Sequence, residues 1–143
     1  MPLLHTTTST LEGTAYFEFL PGRYNDKCWG DSSVFLDEEA FGFIEPAFVR
    51  LLPDYDHYSF VAIRGPRWTP ILAELDRLTS LLNSDPSDVD LAENLGFFCR
   101  ATQENFFADR TRSVGDVRAV IVSLAAWLRE TLRTYDCVSL LGL

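Results

Sequence analysis

Residues Thr14 to Leu20 read TAYFEFL, which sets Ala15, Phe17 and Phe19 on one side of an extended chain and Tyr16 and Glu18 on the other. Alternation with a period of two is the pattern of a half-buried strand, and Pro21-Gly22 ends it. Two more segments have strand character. HYSFVAI (His57 to Ile63) is β-branched and aromatic and stops at Arg64-Gly65-Pro66. CVSLLGL (Cys137 to Leu143) is too short for a helix and too apolar for a tail, which predicts a buried terminal strand.

The segments between them repeat at helical spacing. Asp37-Glu38-Glu39 suits a helix start because carboxylates there accept from free amides and favour the positive end of the dipole. Phe41, Ile44, Phe48 and Leu51 follow at intervals of three and four. Pro46 inside this stripe predicts a kink or split near Glu45, and Pro53 closes the segment. Thr69-Pro70 predicts the N-cap and first turn of a helix carrying Ile71, Leu75, Leu78 and Leu82 as far as about Asn83. Ser87 caps a third helix, Asp88 to Ala108, with Leu91, Leu95, Phe98 and Phe106 on its inner stripe. Ser113-x-x-Asp116 has capping-box spacing ahead of a fourth, whose stripe is Val117, Ile121, Leu124, Leu128 and Leu132. These elements make one α+β domain over 14–143, a small sheet of about three strands covered by about four helices. RYNDKCWGDSS (Arg23 to Ser33) is a long loop bearing Trp29, and residues 1–13, polar and aperiodic at HTTTST, form a disordered lead-in.

The 143 residues are 47% hydrophobic and 23% charged, the composition of an ordinary globular protein. A chain this long buries roughly 70% of its unfolded surface, enough for a core without disulfides or metal. The 3 cysteines, Cys28, Cys99 and Cys137, have no C-x-x-C spacing and read as unpaired thiols of a reducing compartment. Cys99 and Cys137 sit among apolar residues and read as core. The first ten residues lack the basic and apolar regions of a signal peptide, and the most apolar stretch, Ala119 to Leu128, falls well short of the ~20 residues of a membrane span. A cytoplasmic protein is expected. With 1 Met and 2 His beside those cysteines, no metal site and no cofactor are expected either.

Lys+Arg total 12 against 21 Asp+Glu, a net charge of −9, which argues against a nucleic-acid partner because phosphates require cations. The charge is unevenly placed. Residues 1–60 hold ten acids and three bases, −7 of the −9, whereas 61–143 hold eleven acids and nine arginines. Tyr24, Trp29, Tyr55 and Tyr58 interleave with Asp26, Asp31, Asp54 and Asp56, and aromatic anchors beside carboxylates suit a surface that docks Arg and Lys. A solvated acidic surface is the plain alternative. The candidate docking residues are Tyr24, Asp26, Trp29, Asp31, Glu38, Glu39, Asp54 and Asp56.

No phosphate-binding glycine loop, nucleophile elbow or H-E-x-x-H motif occurs, so no catalytic residue is assigned. The enzymatic alternative is a small hydrolase or transferase built on Asp31, Ser32 or His57, with His57 as a base beside Asp56. A histidine at a strand edge is the plainer reading of His57. Phe97, Phe98, Phe106 and Phe107 cannot all enter one core, which leaves a self-associating adaptor, a homo-oligomer, as a third reading.

Tyr16-Phe-Glu-Phe, Trp29-Gly-Asp-Ser-Ser-x-Phe35, Phe48-x-x-x-x-Pro53, Trp68-x-x-Ile71 and the ending Tyr135-Asp-Cys-x-Ser-Leu-Leu-Gly-Leu together resemble the small bacterial immunity proteins of polymorphic toxin systems, of the contact-dependent growth inhibition type. The similarity spans most of 14–143. It implies a cytoplasmic, non-enzymatic inhibitor that forms a heterodimer with the C-terminal domain of one cognate secreted toxin, often a nuclease. It brings no catalytic residues with it, and the folds of such proteins vary.

Overall fold

The computed structural model describes residues 4–143. Among them, β1 (Tyr16–Pro21), β2 (Val34–Asp37), β3 (Phe60–Arg64) and β4 (Cys137–Leu141) form one sheet in the order β2-β1-β4-β3, with every neighbouring pair antiparallel. The helices are α1 (Glu38–Gly42), α2 (Glu45–Leu51), α3 (Gly65–Asn83), α4 (Asp88–Asn94), α5 (Arg100–Ala108) and α6 (Arg110–Thr131). The α+β class is the expected one, with a strand more and two helices more than the sequence suggested. The additional strand is β2, whose four residues VFLD are too few to display alternation. Its last residue, Asp37, also caps α1 by accepting a hydrogen bond from the Ala40 amide at 2.7 Å.

Pro46 splits its helix as anticipated. It occupies the first turn of α2, where no intrahelical donor is needed. Three helix boundaries differ from the sequence reading. The third segment is not continuous: Ser87 does cap α4 through a capping box with Asp90, but the chain leaves the helix at Leu95 and re-enters it at Arg100. The fourth begins at Arg110 rather than at Ser113, because Val114 already belongs to the buried stripe that continues through Val117, Ile121, Leu124 and Leu128. Helix α3 begins at Gly65 rather than at Pro70, so Pro66 lies in its first turn and Pro70 inside it. The gain is Trp68. Starting earlier puts its indole at the head of the stripe Ile71, Leu75, Leu78 and Leu82, fully buried, with Nε1 donating to the Val138 carbonyl at 3.3 Å.

The sheet is covered on both faces. Phe17 and Phe19 of β1, Val34 and Leu36 of β2, Ile63 of β3 and Val138 and Leu140 of β4 enter the core shared with the helices. Phe17 stacks on Phe41 with ring centroids 4.1 Å apart. The alternate residues point the other way, yet Tyr16, Glu18, Leu20, Phe35, Cys137, Ser139 and Leu141 are buried too. What buries them is the connection between β1 and β2, residues 22–33. The Gly22 carbonyl accepts from Ser139 Oγ at 2.8 Å, Tyr24 packs on Phe60 of β3, and Trp29 stacks on Phe35 of β2 and meets Tyr16 of β1 edge-on. Of the lead-in expected to be disordered, residues 1–3 lie outside the described residues. Further along it, His5 exchanges both backbone hydrogen bonds with Phe35, satisfying part of the free edge of β2, and Thr8–Thr10 makes a short 3-10 turn.

The 95–99 connection packs backbone to backbone on the turn between α1 and α2. The Gly96 amide donates to the Phe43 carbonyl at 3.1 Å, and a Cβ at Gly96 would lie 2.3 Å from the Gly42 carbonyl oxygen. Gly96→Ala should therefore lower stability by about 1–3 kcal/mol in urea unfolding. Gly115, inside α6 with only Arg118 Nη2 near its absent Cβ at 3.8 Å, is the contrast, and Gly115→Ala should raise stability by roughly 0.5–1 kcal/mol.

Candidate functional site

Glu18 sits on β1 facing away from the helices and is only 3% exposed. A carboxylate so buried must be fully hydrogen-bonded, and the loop supplies the donors: the Trp29 amide at 2.6 Å, the Gly30 amide at 2.9 Å and Ser33 Oγ at 2.6 Å. The bonds also hold Trp29 at φ +62°, the left-handed region that a bulky residue adopts only when its surroundings impose it. Trp29 and Tyr24 are thus fixed on the outer side of the loop with part of each ring exposed. Asp26, also left-handed at φ +67°, and Asp31 are exposed on the same loop.

A second cluster joins α1, α2 and the segment leading into β3. His57 Nδ1 lies 2.6 Å from Glu45 Oε2, its Nε2 lies 3.3 Å from Glu38 Oε2, and Tyr55 Oη donates to the same Glu45 oxygen. The ring stands edge-on to Phe17, and Tyr58 packs beside it with centroids 4.8 Å apart. Burial pulls the His57 pKa down, but the hydrogen bonds and charges of Glu45 and Glu38 more than offset it, so the net direction is upward. Burial, reinforced by the Glu45 carboxylate, pushes the Tyr55 phenol up as well. The form that satisfies both carboxylates is the imidazolium, with each ring nitrogen donating. In that form His57 has no lone pair with which to act as a base.

The eight candidate docking residues fall into groups. Tyr24, Asp26, Trp29 and Asp31 share the loop over the outer sheet face. Glu38 and Glu39 follow β2 at the other end of the sheet, where the register also brings the start of β1, the end of β4 and the start of β3. Glu38 faces His57, whereas Glu39 lines a separate polar cleft of about 300 Å³ with Asn105, Asp109 and Arg112. Asp54 is paired with Arg67, and the hydrogen bond between them holds its carboxyl below the usual range. Asp56 caps a turn by accepting from the Tyr58 amide at 2.8 Å. Asp31 and Ser32 are exposed on the loop, and among the described residues no hydrogen bond joins them to His57.

The thiols and the phenylalanines divide differently from the sequence reading. Cys28, Cys99 and Cys137 are free, and Cys137 is buried, but Cys99 is an exposed residue at the start of α5 rather than part of the core. Phe97, Phe106 and Phe107 form one aromatic cluster with Phe43, with ring centroids between 5.2 and 5.9 Å. Phe98, which the helical stripe placed inside, is exposed because it falls in the break between α4 and α5. Next to the His57 cluster it borders an open groove of about 590 Å³, whose lining includes Glu45, Pro46, Val49, His57 and Tyr58. Neither the groove nor Glu45 was marked by sequence patterning, although Gly96 between two helical stripes signals the break that forms it.

No protein-family model, no curated protein and no solved structure matches the chain.

Two measurements test this description. Glu18→Ala leaves two amides and a hydroxyl without their acceptor, and should cost about 1–3 kcal/mol while accelerating hydrogen exchange at Trp29 and Gly30. For His57, a raised folded pKa means that the stability it contributes is complete below the unfolded value, about 6.5, and is lost as pH rises through the folded value. The stability gap between the native chain and His57→Gln, followed by urea unfolding across that range, should narrow with increasing pH. A gap that widens would contradict the clamp.

Proposed function

We propose that the chain is an immunity-type inhibitor that binds the C-terminal domain of a cognate secreted toxin, such as a nuclease, and covers its active site or substrate groove with an acidic, aromatic face. The observation that carries this reading is where negative charge is left uncompensated. The arginines of the helical half are largely engaged by nearby carboxylates: Arg77 by Glu74, Arg100 by Glu104, Arg112 by Asp116, Arg129 by Asp76 and Arg133 by Glu130, with Arg110 between Asp85 and Asp88. Asp26, Asp31, Glu39 and Asp56 make no ion pair among the described residues, and although Arg23 and Lys27 share the loop of the first two, residues 1–60 as a whole carry −7. An unbalanced acidic region attracts a cationic partner over about a Debye length, roughly 8 Å at physiological salt.

Tyr24 and Trp29 give that attraction something to dock on. They are held by the sheet beneath, so little side-chain entropy is lost when a partner covers them. Asp26 and Asp31, exposed on the same loop, offer carboxylates to arginine or lysine. Glu38 and Asp54 contribute less, since His57 and Arg67 already engage them. Both ring nitrogens of His57 are taken up by Glu45 and Glu38, which supports a positioning role for it within the fold.

The test asks whether a neighbouring reading frame encodes a secreted protein and co-expresses the final domain of that protein with this chain. The expected result is restored growth and a one-to-one complex whose affinity falls as salt rises. Replacing Asp26 and Asp31 by Arg should weaken that complex by ~2 kcal/mol or more. Growth that is not restored, together with no complex between the two chains, overturns the proposal.

A further inference from the structure

The two outer strands of the sheet are finished differently. Along β2, His5 exchanges both backbone hydrogen bonds with Phe35. Along β3, among the described residues, no backbone group pairs with the side turned away from β4. The Gly142 amide donates to the Ser59 carbonyl at 3.0 Å, and bonding alternates along an antiparallel pair. Val61 and Ile63 therefore bond to β4, while the amides and carbonyls of Phe60 and Ala62 and the Arg64 amide point out of the sheet. Nothing guards them. FVAIR contains no proline or lysine, and β3 is the most open of the four strands, with Phe60 45% exposed, Val61 and Ala62 half-buried and Arg64 exposed. A row of unpaired donors and acceptors fits one kind of occupant, another extended strand.

We propose that the occupant is β3 of a second copy of this chain, joined antiparallel about a two-fold axis at Ala62, so that two four-stranded sheets become one. Ala62 exchanges both hydrogen bonds with its counterpart, and each Phe60 carbonyl accepts from the Arg64 amide opposite. The side chains are self-complementary in this register. Arg64 makes no ion pair among the described residues, and its guanidinium meets the exposed Phe60 ring of the other copy as cation on π face. Half-buried Val61 comes beside Ile63 on the helix side, an apolar cross-strand neighbour. Charge decides against a basic strand from another protein. Residues 57–73 hold two arginines, Arg64 and Arg67, and no acid, so a cation opposite β3 would meet like charge. The net charge of −9 is carried elsewhere along the chain and acts between copies as a repulsion that salt screens beyond about 8 Å. This inference does not rest on the toxin reading.

Sedimentation equilibrium of the full chain over a wide range of concentration should show one chain passing to two, with association tightening as salt rises. Hydrogen exchange at Phe60 and Ala62 should slow as the dimer forms, while Val61, already bonded to β4, stays unchanged. Ala62→Pro removes an outward amide but none that β4 uses, and should weaken association about tenfold or more. Phe60→Arg sets like charges opposite each other and should weaken it as well. Adding Arg64→Glu to Phe60→Arg restores attraction across the two-fold axis and should recover most of the loss, a rescue specific to this register. If Ala62→Pro fails to fold, Phe60→Arg and its rescue decide the matter alone. A chain that stays single at every concentration overturns the proposal, and so does a dimer that Phe60→Arg leaves intact or that Arg64→Glu does not recover. Protection of Phe60 and Ala62 that appears only when the toxin domain is added assigns the edge to that partner and overturns it too. A dimer formed by a chain that binds no toxin domain leaves this inference standing and counts against the toxin reading alone.

Discussion

A carboxylate buried on the face of a sheet is costly unless donors come to it, and Glu18 imposes that requirement on everything around β1. Helices already occupy the opposite face, and the neighbouring strands spend their amides on one another. The donors therefore have to arrive from a connection, and residues 22–33 bend across the outer face to deliver them. This turns a loop rich in turn formers into a second layer. It holds Trp29 in a conformation that it would not otherwise adopt and leaves the rings of Tyr24 and Trp29 facing partly outward. The same contacts that satisfy one buried charge thus present the aromatic side chains most suited to recognition.

The electrostatics follow a related logic. In the helical half, arginines and carboxylates meet at helical spacing or across neighbouring helices, and their charges largely cancel. In the first sixty residues the acids serve three separate ends. Glu18, Asp37 and Asp56 organise backbone, Glu38, Glu45 and Asp54 pair with His57 and Arg67, and Asp26, Asp31 and Glu39 are left to solvent or to a partner. Counting charges along the chain cannot separate these roles, because each depends on which amide or imidazole lies opposite.

That limit describes what the sequence could and could not convey. Period-two alternation at Phe17 and Phe19 and helical spacing at Leu75, Leu78 and Leu82 were legible because burial repeats faster than the chain turns away. Pro46 was legible because its ring forbids a continuing helix. Strand β2 was not, since four residues carry no period. The start of α3 was misplaced because Thr69-Pro70 is a strong local signal that the burial of Trp68 overrides. The break at Leu95 is hidden in the sequence because Phe98 lies in phase with Leu91, Leu95 and Phe106, while the contact that forbids the helix lies far away in sequence, at Phe43. For the site, the loop aromatics and acids were visible as composition. The Glu38–His57–Glu45 clamp and its groove arise from pairing across α1, α2 and the approach to β3, which no single stretch contains.

Strand β4 lies between β1 and β3, and its residues are the last of the sheet in chain order. As the polypeptide emerges from the ribosome, β1 with β2 and β3 with α3 appear long before the strand that joins them. Two apolar sheet edges must wait through the making of more than seventy residues, most of them helical, before Cys137–Leu141 can slot between them. Long-range closure of this kind slows folding and exposes unpaired edges to misassociation, so the final strand acts as the keystone whose arrival decides when the molecule first exists as a whole.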